Sequence, residues 1–380
     1  MKQVIDPGSV IGVLGSGQLG RMFAVAARQM GYQVHVFSPD YDTPAGQVAD
    51  LEIQSDYQDL DRVARFASSV DVVTFEFENI PVSTIETACQ HVLVHPAGKV
   101  LYTTRNRLRE KEFLRGIGLP VTPFAPVRSL ADVEQAVEVT GLPAVLKTAS
   151  WGYDGKGQSR VSTVEEVRRA WQALESQEAV LERLVEFAAE ISVVAVRSSN
   201  GQCACYEPIR NVHRHHILDI SSSPAELPLQ TEAAAMDMAH AVMVGLDVIG
   251  VLCVEFFLTQ DGSLLINELA PRPHNSGHLT VDAHVTSQFE QQVRAVCGFP
   301  PGSTARLQPA AMVNLMGDLW SHRRPAWSRV LDFPDVKLHL YGKRTARSGR
   351  KMGHLTALGR SAQEAIDVAG DARNLLIKAD

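Results

Sequence analysis

The 380-residue chain carries no excess of positive charge: 36 lysines and arginines against 43 acidic residues leave a net charge of −7. That balance excludes a global electrostatic footprint for nucleic acid or an anionic membrane, so a polyanionic partner must be held by a local cluster. Cysteine is scarce. The five present (Cys89, Cys203, Cys205, Cys253, Cys297) are odd in number and include no C-x-x-C pair, which excludes a disulfide framework and reads as reduced thiols in a cytosolic protein. No apolar segment follows Met1, and the most hydrophobic window, Met243 to Thr259, is broken by Asp247 and Glu255. Neither secretion nor membrane spanning is expected. No G-x-x-x-x-G-K-[ST] occurs, which excludes a P-loop NTPase as far as motifs can. With 45% apolar residues the chain is also not disordered, and its length predicts two to three domains.

The first hundred residues alternate β-branched runs with amphipathic stretches: Val10 to Leu14, a helix from Gln18 to Met30, Gln33 to Phe37, then Val70 to Phe75. This βαβ rhythm predicts a parallel, Rossmann-like sheet over 1–104. Ser83-x-x-Glu86 reads as a capping box, and a basic helix is expected from Arg105 to Arg115. A small unit over 105–180 follows, with strands at Pro143 to Thr148 and Ala179 to Leu181, helices after Ser129 and Ser162, and a glycine-rich loop between them. Long strands (Glu190 to Arg197, Gln202 to Pro208, Gly250 to Thr259, Ser263 to Leu269) with helices near Glu232 to Gly245 and Asp282 to Val296 predict an antiparallel α+β core over 181–316. A β-rich extension, 317–380, contains Val336 to Tyr341 and a basic stretch.

Gly15-Ser16-Gly17-Gln18-Leu19-Gly20 follows a strand, opens a helix, and precedes Asp40 by twenty residues, a dinucleotide fingerprint in form. A tight strand-to-helix turn serving another ligand, or none, fits equally well. The second loop, Trp151 to Gly157, follows Lys147; three glycines free the backbone to wrap phosphate oxygens, and Lys147 and Lys156 supply charge, although Asp154-Gly155 also suits a plain hairpin turn. If Asp261-Gly262 closes a two-residue hairpin, Gln260 pairs with Ser263 and Glu255 lies opposite Glu268. Two carboxylates facing each other in an apolar sheet are unfavourable unless one is protonated or a hard cation joins them. With the Asn267 carbonyl they suit Mg²⁺. Arg272-Pro273-His274-Asn275-Ser276-Gly277-His278 reads as a polar loop beside that site, since Pro273 and Gly277 disfavour a zinc-binding helix. Alternation would put His213 and His215 on one strand face next to His216, but no fourth ligand lies near in sequence, so zinc is not expected. Five cations between Lys343 and Lys351 form either a solvated face or a phosphate clamp.

Together these parts resemble the ATP-grasp superfamily and, within it, the N5-carboxyaminoimidazole ribonucleotide synthase family. The resemblance runs nearly end to end. It rests on Gly17-Gln18-Leu19-Gly20-Arg21-Met22, Thr74-Phe75-Glu76-Phe77-Glu78-Asn79, Gly152-Tyr153-Asp154-Gly155-Lys156-Gly157-Gln158, the segment Ile266 to His278, and Gly349-Arg350-Lys351-Met352-Gly353-His354. It implies carboxylation of 5-aminoimidazole ribonucleotide with bicarbonate and ATP through carboxyphosphate in purine biosynthesis, with Mg²⁺ and no nicotinamide or zinc, in a cytoplasmic homodimer. The alternative it leaves is a sister transferase, such as a formate-dependent glycinamide ribonucleotide transformylase. By resemblance Arg107, Lys147, Gly152 to Gln158, Glu182, Arg183, Leu184, Val185, Glu190, His213, Asn267 and Glu268 line the ATP site, with Glu255 and Glu268 on the metal. Gln18, Leu19, Glu76, Asn79, Tyr153, Asp154 and Lys156 face the ribonucleotide, whose phosphate falls to Lys343, Arg350 and Lys351. Arg272, His274, Asn275 and Ser276 hold bicarbonate or carboxyphosphate. Asp154 is the candidate proton acceptor, and Arg272, His274 and Lys351 complete the catalytic set.

Overall fold

A computed structural model describes residues 4–150, 157–174, 177–321 and 325–377. Its first sheet is parallel, with strands ordered Leu51–Gln54, Gln33–Ser38, Val10–Leu14, Val72–Phe75. The Val72–Phe75 strand is buried throughout, as a parallel strand covered on both faces must be. The helix Gln18–Gln29 buries Leu19, Phe23, Ala24 and Ala27, a stripe at helical spacing, and packs on Phe289, Val293 and Val296 of the helix Gln288–Val296. That contact seats the first sheet on the rest of the molecule.

A smaller antiparallel sheet follows, ordered Phe124–Val127, Ala179–Arg183, Ala144–Thr148, Gln158–Val161. Val133, Ala136 and Val167 from its two helices cover one face. Among the described residues the third sheet has nine antiparallel strands: eight run from Leu264–Ala270 at one end to Val336–Leu340 at the other, and the ninth, Cys203–Cys205, pairs with Phe187–Arg197 alone. Between the two ends lie Gly250–Thr259, Phe187–Arg197, Ile209–Arg214, Ile217–Ser223, Ala310–Met316 and Lys351–Leu358. Helices shield it, among them Leu229–Gly245 through Ala235, Ala239, Val242 and Met243, Gln288–Val296 through Ala295, and Ala362–Ile377 through Ala365, Ala369, Ala372 and Leu376. Alanine at these spacings lets helix and sheet approach closely.

Local expectations needed repair where side chains found other partners. The helix expected from Arg105 to Arg115 runs Arg107–Gly116, because Asn106 turns out of helix and accepts from the Leu108 and Arg109 amides; a separate helix, Gly98–Thr104, precedes it. Ser83 caps nothing: the helix begins at Val82 after Pro81. The cap expected at Ser162 belongs to Thr163, which accepts from Glu166. The long helix expected from Asp282 is broken into Thr280–Ala283 and Gln288–Val296, the latter capped by Ser287. Of the run Gln202 to Pro208, only Cys203–Cys205 forms a strand.

A column of aromatic rings links the last two strands of the third sheet to the helix Gln288–Val296. Phe289, His278, His354 and His339 stack in turn at centroid separations of 5.8, 4.8 and 4.5 Å, and His339 ends on Asp282 at 2.8 Å. Both ring nitrogens of His278 and Nε2 of His354 have no hydrogen-bond partner among the described residues. Burial first, and then neighbouring cations and imidazoles, hold both groups well below the ordinary histidine range, so they are neutral. An unfolded histidine titrates near pH ~6.5 and binds the proton these refuse, so their stabilising effect is complete above that pH and is lost as pH falls below it. Urea unfolding between about pH 8 and 5 should therefore show a shallower acid-side loss of midpoint in His278→Phe than in wild type; parallel profiles would contradict a neutral His278.

Candidate functional site

The three sheets meet around a cavity of about 910 Å³. The first sheet contributes Gln18, Leu19, Glu76, Glu78 and Asn79, and the smaller sheet contributes Lys147 and Gln158. Glu190, His213, Glu255, Asn267, Glu268, Arg272, His274 and Asn275 come from the central sheet and the segment after it, and Lys343, Arg347, Arg350 and Lys351 close the far wall. Arg107, at the start of its helix, also faces the cavity.

The carboxylate pair is formed, but by a route the sequence did not reveal. Thr259 N–H donates to the Ser263 carbonyl at 2.9 Å, so the turn spans 260–262, with Gly262 at φ +84°. Next to it the ladder pairs Leu258 with Leu264, one residue off the expected register. A bulge between Glu255 and Phe256 then leaves Asn267 unpaired and restores Glu255 opposite Glu268. The bulge also lets consecutive residues, Asn267 and Glu268, both face the cavity while Ile266 stays in the core. Two-residue alternation alone forbids that.

Electrostatics around this pair is uneven. Burial and then the charge of Glu255 push the Glu268 carboxyl up, against Arg107 and Lys147. Burial also works against ionising Glu255, but His274 Nε2, 3.0 Å from its Oε1, with His213 and Lys351, brings its carboxyl down to about 2. His274 is pushed up to about 10: burial opposes its charge, and Cys253 and Glu255 outweigh the burial. Its other nitrogen meets Ser276 Oγ at 2.9 Å, and Ser276, fully buried, is tied to Ser192 at 2.8 Å rather than lining the cavity. His213 Nδ1 lies 2.7 Å from Glu190, which raises its affinity for a proton against the cost of burial. His215 and His216 sit in a turn at φ +50° and +64°, so strand alternation does not put His215 beside His213.

On the wall formed by the smaller sheet, Lys147 Nζ binds Glu182 at 2.9 Å, and the buried Lys111 reaches the same carboxylate at 3.5 Å. Burial is overcome by these two lysines, and Glu182 comes down to about 2. Glu182 thus stands behind Lys147. Arg183, Leu184 and Val185 do not line the cavity; the Arg183 guanidinium donates instead to the Thr140 carbonyl at 2.8 Å. Gly157, at φ +69°, is packed against Thr148. Gly152, Tyr153, Asp154, Gly155 and Lys156 lie outside the described residues.

The front glycine loop has an occupant of its own. Glu76 accepts from the Gly17 amide at 2.6 Å and the Gly20 amide at 2.9 Å, the groups a dinucleotide pyrophosphate would use. A Cβ on Gly15 would stand 2.5 Å from Glu76 Cγ, and one on Gly17 would stand 2.8 Å from its Oε1. The glycines are there to admit a carboxylate from the residue that follows the neighbouring strand.

Sequence reasoning passed over Glu78, Glu110 and Lys111. Glu78 takes a two-point hydrogen bond from Arg272 (Nε 2.6 Å, Nη2 3.1 Å), joining the first sheet to the segment after the central one. Its signal was present: it lies between Glu76 and Asn79 in the segment Thr74 to Asn79. Of the basic stretch, Arg344 turns outward to Asp42, whereas Lys343 donates to the Lys351 carbonyl at 2.7 Å beside the cavity.

Three family profiles match the chain: a ribonucleotide synthetase preATP-grasp domain over residues 9–105, an ATP-grasp domain over 112–289, and a phosphoribosylaminoimidazole carboxylase C-terminal domain over 310–368. N5-carboxyaminoimidazole ribonucleotide synthase of Bacillus subtilis strain 168 is 43% identical over 367 residues, 96% of this chain and 95% of the relative. The chain belongs to the N5-carboxyaminoimidazole ribonucleotide synthase family. The synthase of Pseudomonas aeruginosa is 42% identical over 91% of this chain and 93% of its own. Among solved structures, the Staphylococcus aureus synthetase complexed with ADP superposes with a TM-score of 0.91 at 34% identity, covering 98% of both chains. The Aspergillus clavatus enzyme in complex with ADP and 5-aminoimidazole ribonucleotide gives 0.89 at 28% identity, over 97% of this chain and 98% of that one. The fold is accordingly ATP-grasp with a pre-ATP-grasp domain in front, as the synthase family has it.

Glu78→Ala should release Arg272 and lower stability by about 1–3 kcal/mol, less than the ~3–5 of a fully buried pair because Glu78 keeps 30% of its side chain exposed. Glu78→Gln, which keeps one acceptor, should lose less. Equal unfolding midpoints for the two variants and wild type would remove Glu78 as the anchor.

Proposed function

We propose that the chain carboxylates 5-aminoimidazole ribonucleotide with bicarbonate and ATP, yielding N5-carboxyaminoimidazole ribonucleotide, ADP and phosphate. The observation that carries this reading is the single cavity in which Lys147, the Glu255–Glu268 pair, the cations Arg272 and His274, and the basic wall of Lys343, Arg350 and Lys351 face one another. Bicarbonate is a poor electrophile. Attack of its oxygen on the γ-phosphorus of ATP expels ADP and gives carboxyphosphate; attack of the substrate amine on the carboxyl carbon then expels phosphate, and the amine loses a proton.

The residues divide accordingly. Arg107, Lys147, Gln158, Glu190, His213 and Asn267 hold the nucleotide, Glu182 fixing Lys147 from behind. The two carboxylates and the side-chain amide oxygen of Asn267 are a donor set for magnesium, and the upward push on Glu268 by Glu255 is the like-charge conflict a divalent cation removes. Magnesium bound there supplies positive charge to the phosphate oxygens. Arg272 and His274, both cationic at neutral pH, hold bicarbonate and the carboxyphosphate derived from it, where charge develops. Asn275 assists them, with Ser276 fixing the His274 ring. Lys343, Arg350 and Lys351 take the ribonucleotide phosphate, with Gln18, Leu19 and Asn79 beside the base and ribose and Glu76 ordering the loop that carries Gln18. Tyr153, Asp154 and Lys156 would close over the substrates, Asp154 accepting the amine proton. A cytoplasmic homodimer is part of the same reading. Among the described residues no helix is long and apolar enough to cross a membrane.

ADP release should require both bicarbonate and 5-aminoimidazole ribonucleotide; equal release with formate and glycinamide ribonucleotide would replace this reading with a sister transferase. Glu268→Gln should lower kcat by about 10²–10³-fold in the same assay. Since His274, pushed up to about 10, keeps its proton at lower pH, His274→Gln should cost a similar factor at every pH from about 6 to 9. A loss that vanishes toward the alkaline end of that range would show a neutral His274.

A further inference from the structure

The strand carrying Glu268 is the terminal strand of the nine-stranded sheet, so among the described residues its outer backbone groups have no ladder partner beyond one bridge between Val121 and Ile266. A buried or half-buried edge of this kind must find other partners. Two consecutive residues of the helix Arg107–Gly116 supply them. Lys111 Nζ donates to the Asn267 carbonyl at 3.3 Å, and Glu110 Oε2 accepts from the Leu269 amide at 3.1 Å. These are the peptide groups on either side of the Glu268 α-carbon. Glu110 is 2% and Lys111 1% exposed, a costly place for two ionisable side chains without a positional purpose. Lys111 also lies 3.5 Å from Glu182, which binds Lys147 at 2.9 Å. The same helix is pinned to the smaller sheet by the Arg107 amide, which donates to the Ala149 carbonyl at 2.8 Å.

We infer that Glu110 and Lys111 form a clasp that fixes the backbone of Glu268 and ties it, through Glu182, to Lys147: both are positioning residues for the magnesium-nucleotide end of the cavity. The bulge at Asn267 makes a clasp necessary, because it breaks the ladder on the inner side at the residue before Glu268. A strand end loosened there moves its carboxylate by fractions of an ångström, enough to matter at a charged site. The inference rests on the carboxylase reading for the reaction, but not for the clasp itself.

The experiment uses the full chain and four variants: Lys111→Met, Lys111→Arg, Glu110→Ala and Glu110→Gln. Hydrogen exchange of the peptide from Ile266 to Ala270 should quicken about tenfold in Glu110→Ala and stay near wild type in Glu110→Gln, whose amide oxygen still accepts. Calorimetric binding of Mg·ADP should weaken about tenfold in Lys111→Met, and kcat should fall about 10–100-fold, with the KM for 5-aminoimidazole ribonucleotide within about twofold of wild type. Lys111→Arg should recover part of both. Wild-type exchange in Glu110→Ala, or wild-type Mg·ADP affinity in a folded Lys111→Met, overturns the clasp, as does a loss spread equally over nucleotide and ribonucleotide. If Lys111→Met does not fold, the contrast between Glu110→Ala and Glu110→Gln in exchange and Mg·ADP affinity decides. A wild type without carboxylase turnover would refute the functional reading while leaving the exchange and binding arms to judge the clasp.

Discussion

Two carboxylates face each other in a buried sheet, and much of the cavity is arranged around that fact. Glu255 and Glu268 repel, and neither has water enough to screen the repulsion. The protein responds asymmetrically. His274 sits on Glu255 and carries a proton for it, while Glu268 is left with a carboxyl pushed upward and cations, Arg107 and Lys147, within electrostatic reach. Such an arrangement is poor for stability alone. It suits a site that receives positive charge along with an anionic ligand.

The same logic orders the surroundings. Several basic side chains facing the cavity are backed by an acid that aims them: Lys147 by Glu182, Arg272 by Glu78, His213 by Glu190. An unsupported guanidinium or ammonium would sweep several positions; one held at two points has lost that freedom before the ligand arrives. The net charge of −7 is therefore no guide to what the cavity binds, because the acids at these positions serve to hold the cations in place.

Glu76 illustrates how one motif can be read two ways. A glycine-rich turn at a helix N-terminus attracts any anion, and the chemistry of the loop does not say whether that anion belongs to a cofactor or to the chain. Here the carboxylate comes from the residue that follows the next strand of the sheet, Val72–Phe75, placed beside Val10–Leu14 by parallel pairing. Only the strand order could decide this, since 59 residues separate donor and acceptor in sequence.

The amino-acid sequence by itself determined the βαβ rhythm of the front, the antiparallel character of the centre, and the residues through which the family was recognised. These are local properties: periodicity, turn chemistry and motif spacing act over a few residues, and the strand Val10–Leu14 follows its apolar run residue for residue. The tertiary structure decided what depends on distant partners. It shifted the hairpin turn and inserted the bulge at Asn267, ended the histidine strand at Arg214, sent Arg183 and Arg344 away from the cavity, and buried Glu110 and Lys111 beneath Glu268. A buried charge is tolerated only where the folded chain supplies its counter-charge or hydrogen bond, and that partner, 71 or more residues away for Lys111, is set by packing rather than by any local pattern.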